Sequence, residues 1–263
     1  MTLDRTCHAP TGAGCFGKAN QRLFAPLTLK GRCIGLRKIL AIGAHIGDAE
    51  LTSGPLLAQA VEAGGVVKIL ALTCGERGNP DMNPADYKQQ KLTEGQKFAA
   101  EIGAEFQVFD DLEDGMLTMD ESIAKRIVDA IKDFSPSLII GHWRESWHPD
   151  HIAASELTRR ATFLASLDIH GREGLLPAPT LAYAENWEDM DGFQANRYLA
   201  ITDEAFVRWS RAISHHQFAH GGFSGFRYID YYTSLMTLKG CLAGTDRACA
   251  FKIMSDVLEP FEV

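Results

Sequence analysis

Two short clusters hold the residue types that bind metals and move protons. His45 and Asp48 stand three apart in GAHIGDAE, and His142, His148, Asp150 and His151 fall within ten residues in HWRESWHPDHIAA. Three-residue spacing in a turn between a strand and a helix lets one imidazole and one carboxylate converge on a single ion. Taken alone, the first cluster reads equally well as a turn histidine beside an N-capping aspartate. The second cluster, with Pro149 stiffening its turn, places four such groups where packing explains them poorly. A catalytic zinc takes three nitrogen or oxygen ligands and leaves a fourth position for water. Two ligands from the first segment and one histidine from the second complete such a site.

Those clusters need elements that bring them together. From Lys38 the run KILAIGAH is short, apolar and rich in branched residues, as in a buried parallel strand ending near Gly43. Residues 51–63 carry apolar positions at helical spacing and stop at Gly64-Gly65. VVKILALTCG repeats the strand-then-turn pattern, and 87–102 reads as an amphipathic helix stopped by Gly103. Strands at 105–109 and 137–141 flank a helix at 120–134, and a helix beyond His151 runs through Leu164. A strand follows at 180–185 and a helix from 203 to about 216; the last third of the chain is less regular. This alternation predicts an α/β, Rossmann-like, mostly parallel sheet with helices on both faces. In such sheets ligands bind beyond the carboxyl ends of strands. The polar clusters 45–50, 73–77 and 142–151 fall at three such ends, so a metal site is expected there.

The 263 residues are 46% hydrophobic and 23% charged with a net charge of −8, the balance of an ordinary globular chain. No linker-like stretch interrupts it, which predicts one domain over 37–263 behind an N-terminal arm over 1–36. An acidic chain without clustered Lys and Arg argues against nucleic acid as a partner. The first residues lack the apolar run of a signal peptide or membrane span, so no membrane partner is expected. Six scattered cysteines without a CxxC pair suit a reducing cytoplasm. The expected partners are a small-molecule substrate and further copies of the chain in a homo-oligomer.

With both clusters in view, the sequence resembles the LmbE/PIG-L family of zinc-dependent de-N-acetylases. In that family a first strand ends in AHPDD, whose His and second Asp bind zinc, and a later HPDH supplies the third ligand from its last His. The resemblance implies His45, Asp48 and His151 as ligands of Zn2+ or another divalent metal, and His148 with Asp150 as a charge-supported acid pair. LTCGERGNP is similar to the family's substrate-side loop and implies Glu76 and Arg77 near the pocket. GTDRACAF is a loose likeness, so the resemblance runs from Lys38 to Phe251. His216 resembles a late pocket histidine of the family with a different spacing to its Gln, and reads also as a helix-terminal imidazole. Trp147, beside His148, is expected to wall a sugar site, whereas Trp143, Trp187 and Trp209 read as core.

One departure bears on the reaction. The first Asp of AHPDD, the family's general base, is Gly47 here. Glycine cannot accept a proton, and losing a general base ordinarily costs about 10²–10⁴ in rate. Glu50 and Asp150 are the available carboxylates; Glu50 also reads as a first-turn acid favoured by the helix dipole. The resemblance implies removal of an N-acyl group, acetyl in the simplest case, from an amino-sugar-type substrate, with His148 as an imidazolium protonating the leaving amine. Gly47 favours a second reading, a zinc-dependent hydratase or lyase acting on an unsaturated carboxylic acid, since the family includes hydratases whose first motif lacks that Asp. A third is a non-catalytic metal- or sugar-binding homologue. An Asp restored at position 47 is expected to stand beside the reacting water.

Overall fold

The computed structural model describes residues 38–167, 179–222 and 224–254, so the arm expected over 1–36 lies outside the described residues. The first strand, β1 (Lys38–His45), is buried on both faces: Ile39 and Ala41 enter one apolar core, Leu40 and Ile42 the other. That two-sided burial is why its sequence is a continuous apolar run rather than an alternation. β2 (Val66–Thr73), β3 (Glu105–Val108), β4 (Leu138–Gly141) and β5 (Thr180–Ala184) join it in parallel. Among the described residues the sheet has seven strands in the order β3-β2-β1-β4-β5-β7-β6, which bears out the α/β, mostly parallel expectation.

The last two strands are the part that periodicity missed. β7 (Ala248–Ile253) pairs antiparallel with β5, and β6 (Arg197–Ala200) pairs antiparallel with β7. Their runs, ACAFKI and RYLA, are too short and too mixed to declare a period. The helix α7 (Tyr228–Ala243), between them in sequence, was also missed; its apolar residues lie on several faces. Helices α2 (Gly54–Glu62), α3 (Pro84–Ile102), α6 (Asp203–Ile213) and α7 pack on one core, and α4 (Glu121–Phe134) with α5 (Pro149–Ala165) on the other. No described helix is long and apolar enough to cross a membrane.

Three of the expected elements have different bounds, and this moves the chemistry. β1 continues past Gly43 to His45, which pairs across the sheet with Thr73, so His45 is the last residue of a strand rather than part of a turn. The helix expected over 51–63 is two helices, α1 (Asp48–Thr52) and α2, broken at Ser53; at this junction the indole N–H of the fully buried Trp209 donates to Glu50 O at 2.9 Å. The helix expected to reach about 216 stops at Ile213, leaving His216 in the turn before a short 3-10 segment, Gln217–His220.

β1 lies between β2 and β4, where the chain order reverses, and the crevice beyond its carboxyl end is where open α/β sheets take ligands. α3 comes unusually close to that crevice. A Cβ on Gly95 would stand 2.6 Å from Phe106 Cζ and 3.0 Å from Ile46 Cγ2, so only glycine allows this approach. Lys91 and Tyr87, one and two turns N-terminal on the same face, are thereby carried to the crevice.

Candidate functional site

Three ligand-type atoms meet beyond β1. Asp48 Oδ2 lies 3.3 Å from His45 Nδ1 and 3.6 Å from His151 Nε2. His45 comes from the strand end, Asp48 from the first turn of α1, and His151 from the first turn of α5. α5 starts with His148 as its cap: His148 Nδ1 accepts the Asp150 N–H at 3.2 Å, and Pro149 holds the first helical position. This is why the spacing of HPDH turns His151 inward while His148 stays at the rim.

The residues present fit a divalent ion. His151 is buried and its Nε2 has no hydrogen-bond partner, although Asp189 Oδ1 takes its Nδ1 side at 2.8 Å. A proton on Nδ1 leaves the Nε2 lone pair free toward Asp48 and His45, the tautomer that a metal needs. Burial, reinforced by the charge of His142, pushes His151 down to about 4, so it is a neutral donor at neutral pH. His45 has the same plan with nitrogens exchanged: Nε2 sits 3.1 Å from Asp114 Oδ1 and 3.3 Å from Asp150 Oδ2, leaving Nδ1 toward Asp48. Burial disfavours a charged His45 ring, yet Asp48, Asp114 and Asp150 outweigh it and raise its pKa well above the ordinary value. A cation placed there meets that same negative field. Asp189, fully buried, also holds His142 Nδ1 at 2.8 Å, so one carboxylate orients both imidazoles.

A cavity of about 160 Å³ opens over these groups. His45, Asp48, Asp114, His148 and Glu188 line it together with Tyr87, Lys91, Trp187, Phe218 and Tyr228. Burial and the negative charge of Asp48 push Glu188 up to about 7, and its Oε2 lies 3.3 Å from His151 Nε2.

Several expected site residues stand elsewhere. Asp150 does not pair with the His148 ring: its Oδ2 faces His45 and accepts the Gly115 N–H at 2.7 Å, and its Oδ1 accepts the Leu117 N–H. Burial and the His45 charge hold His148 below its ordinary value, which disfavours the imidazolium expected for it. Glu50 is fully buried, off the cavity, with Oε2 accepting the Gly47 N–H at 2.9 Å; burial pushes it up to about 7. His216 is likewise sealed behind Phe218, its Nδ1 3.7 Å from Glu94 Oε2. Glu76 and Arg77 act at one remove: Glu76 Oε1 accepts the Asp114 N–H and Asp114 Oδ2 accepts the Arg77 N–H, at 2.9 and 2.8 Å. They fix Asp114 against His45. Trp147 is 65% exposed outside the cavity, edge-on to Trp187, and it is Trp187, expected in the core, that lines the wall.

Sequence reasoning missed Asp114, Glu188, Asp189 and Lys91. Two signals were available. ENWEDMD follows β5 directly, a fourth polar cluster at a strand's carboxyl end. Lys91 falls on the buried face of α3 with Tyr87, Gly95, Phe98 and Ile102, a charge where the helical pattern demands an apolar residue.

Position 47 differs most from expectation. Gly47 has φ 117°, and a Cβ there would stand 2.5 Å from Phe218 Cζ and 3.4 Å from Lys91 Nζ. The conformation disfavours any side chain and an aromatic ring fills its space. An aspartate does not simply fit beside the water.

A pair of strand-end motifs whose His and Asp groups could hold a metal ion, on a mostly parallel sheet, is the arrangement of an α/β metal-dependent enzyme. Residues 40–162 match the family model described as PIG-L: GlcNAc-PI de-N-acetylase. The chain is 23% identical over 176 residues to a 4-oxalmesaconate hydratase of Pseudomonas putida, spanning 63% of this chain and 68% of that one. A solved 4-carboxy-2-hydroxymuconate hydratase of Pseudomonas putida superposes with TM-score 0.76 and 21% identity, over 86% of this chain and 100% of the other. An N,N'-diacetylchitobiose deacetylase of Pyrococcus horikoshii gives TM-score 0.70 and 16% identity over 83% and 84%. At these identities the structural likeness speaks for the fold, shared by proteins named for two different reactions.

Proposed function

We propose that the protein is a zinc-dependent hydratase that adds water across the double bond of an unsaturated carboxylic acid. The observation that carries this reading is the wall at position 47: Phe218 and Lys91 occupy the space where the deacetylase pattern keeps a carboxylate base. Similarity to two proteins named as hydratases supports it. His45, Asp48 and His151 would hold the ion. Bound there, it supplies Lewis acidity and a water of lowered pKa.

The chain's own groups handle the proton. Hydration puts the water's oxygen on one alkene carbon and a proton on the other. Glu188 and His148 both line the cavity beside the ligand set and are the groups placed to exchange that proton. With His148 Nδ1 accepting from Asp150 N, the neutral ring carries its proton on Nε2 and can donate from it. Trp187, Phe218 and Tyr228 give the substrate's flat conjugated carbons an apolar wall.

Hydrolysis of an N-acetylated amino sugar is the second reading, favoured by the description of the matching family model. Paired assays separate the two. Zinc-loaded protein is expected to bleach the conjugated absorbance of unsaturated di- and tricarboxylic acids and to release no acetate from N-acetylglucosamine derivatives. Acetate release without bleaching would replace the hydratase reading with the second one.

A further inference from the structure

We propose that Lys91 anchors a second anionic group of the substrate, in addition to one held at the ion, so that the cavity selects dianionic acids over monoanionic and neutral ones. The inference rests on the hydratase reading for what is transformed, but the anchor itself stands on the geometry of Lys91.

Among the described residues lining the cavity, Lys91 is the only lysine or arginine. Its side chain is 5% exposed. An ammonium has three N–H donors. Among the described residues this one has a single hydrogen-bond acceptor, the Ile46 carbonyl oxygen, and no ion-pair partner. Its Nζ also lies 4.0 Å from the Phe218 ring centroid and 6.0 Å from that of Tyr87. Those faces steady a cation but accept no conventional hydrogen bond. Burying an ammonium with donors to spare is unfavourable unless something pairs with them. Burial lowers its pKa, while Glu50, Asp48, Glu94 and Asp114 act in the opposite direction.

The placement of this cation follows from two glycines. Gly95 lets α3 lie against Ile46, and Gly47 leaves the space that a side chain would fill. Phe218 lies against the ammonium and lines the same cavity, which is the outlet for the spare donors of Lys91. His45 and Asp48 of the ligand set flank Ile46 and Gly47 in sequence, and both line the same cavity as Lys91. A substrate with one carboxylate at the ion and a second at Lys91 satisfies both ends. The second contact is a charge-assisted hydrogen bond, the strong kind, and discriminates against ligands lacking it.

The test is calorimetric, on the zinc-loaded protein, with inert probes: succinate against propionate and glutarate against butyrate. In the parent protein one dianion of these pairs is expected to bind at least about tenfold more tightly than its monoanion, the size of one charged hydrogen bond. In Lys91→Met that preference should fall to about twofold or less, and Lys91→Arg should keep most of it. Lys91→Gln, which retains a polar head for Ile46 O, serves if the methionine variant does not fold. Equal preference in parent and neutral variants with the same zinc content overturns the anchor, as does absence of any preference in the parent. The two readings fail separately. A Lys91-dependent preference in a protein that releases acetate from N-acetylglucosamine keeps the anchor and removes the hydratase; bleaching of an unsaturated acid with no Lys91 dependence does the reverse.

Discussion

On the ion side of the cavity, His45 and His151 each set one ring nitrogen against a carboxylate and leave the other toward Asp48, while Asp114 and Asp150 are tied by backbone N–H groups. Across the cavity the pattern inverts. Glu50 Oε1, Glu94 Oε2 and both ring nitrogens of His216 are buried without a hydrogen-bond partner, and Lys91 has a single acceptor. The first region leaves His151 Nε2 and Glu76 Oε2 without a hydrogen-bond partner and pairs most of its other polar atoms. The second carries polar atoms in excess of their partners, held by Phe98 and Phe218. A fold can keep its ion-holding half unchanged in plan while the facing wall sets what reaction is done and on what, because the two halves share few residues.

The sharpest way to break that contrast is to remove a ligand. His151→Ala should lose the divalent ion entirely, from about one per chain to near none, because two remaining donors do not hold it. Elemental analysis of dialysed protein measures this. Full retention would mean that the ion is held by another of the close groups, such as His45, His148 and Asp150.

Next in size is Gly47→Asp, once expected to restore a base. With a left-handed φ and Phe218 in the way, it should lower stability by about 2–5 kcal/mol, the sum of strain and overpacking, and raise no deacetylase rate. Adding Phe218→Ala should recover the overpacking part. Urea denaturation of single and double variants tests the pair; a stable Gly47→Asp would show that the wall yields easily.

The facing wall should also make the fold acid-sensitive. Burial, against the pull of Glu94, holds His216 at about 4 where the unfolded value is 6.5. The unfolded chain therefore takes up a proton first, and stability is full above pH 6.5 and falls as pH drops to about 4. The loss is at most about 3 kcal/mol. His216→Phe should remove that slope, read from denaturation midpoints between pH 7.5 and 4; unchanged slopes would place the acid sensitivity on the ion side instead.

The smallest effect is at the rim. Trp147→Ala, at an exposed ring, should change stability within about 0.5 kcal/mol. Trp187→Ala should raise KM several-fold, and the reverse ranking in steady-state kinetics would return Trp147 to the wall.

The same contrast explains what the sequence could say. His45, Asp48 and His151 were legible because two local motifs, each a strand end entering a helix, carry them within a few residues. β1, β2, α3 and α4 were legible from apolar period. Glu188 and Asp189 come from a loop with no period, and their partners lie 37 or more residues away, as with His151 and Asp189, separated by 38. Phe218 and Tyr228 sit in a 3-10 turn and an irregularly patterned helix, where spacing says nothing of depth. Lys91 was readable in principle, as one of two charges, with Glu94, on the buried face of α3, but only its closeness to Gly47 reveals what it faces.

The pairing of β6 through β7 has a consequence for the order in which the molecule is made. β6 leaves the ribosome well before β7, yet β7 is its described partner and also the strand that covers the edge of β5. Until residue 253 has emerged, β5 presents an open edge and β6 has nowhere to dock. α7, which brings Tyr228 and Tyr232 to the cavity, is synthesised in the same interval. A nascent chain can thus have its ion ligands in place while the far wall is still to come, and the bare β5 edge is what a chaperone or a neighbouring nascent chain meets in that window.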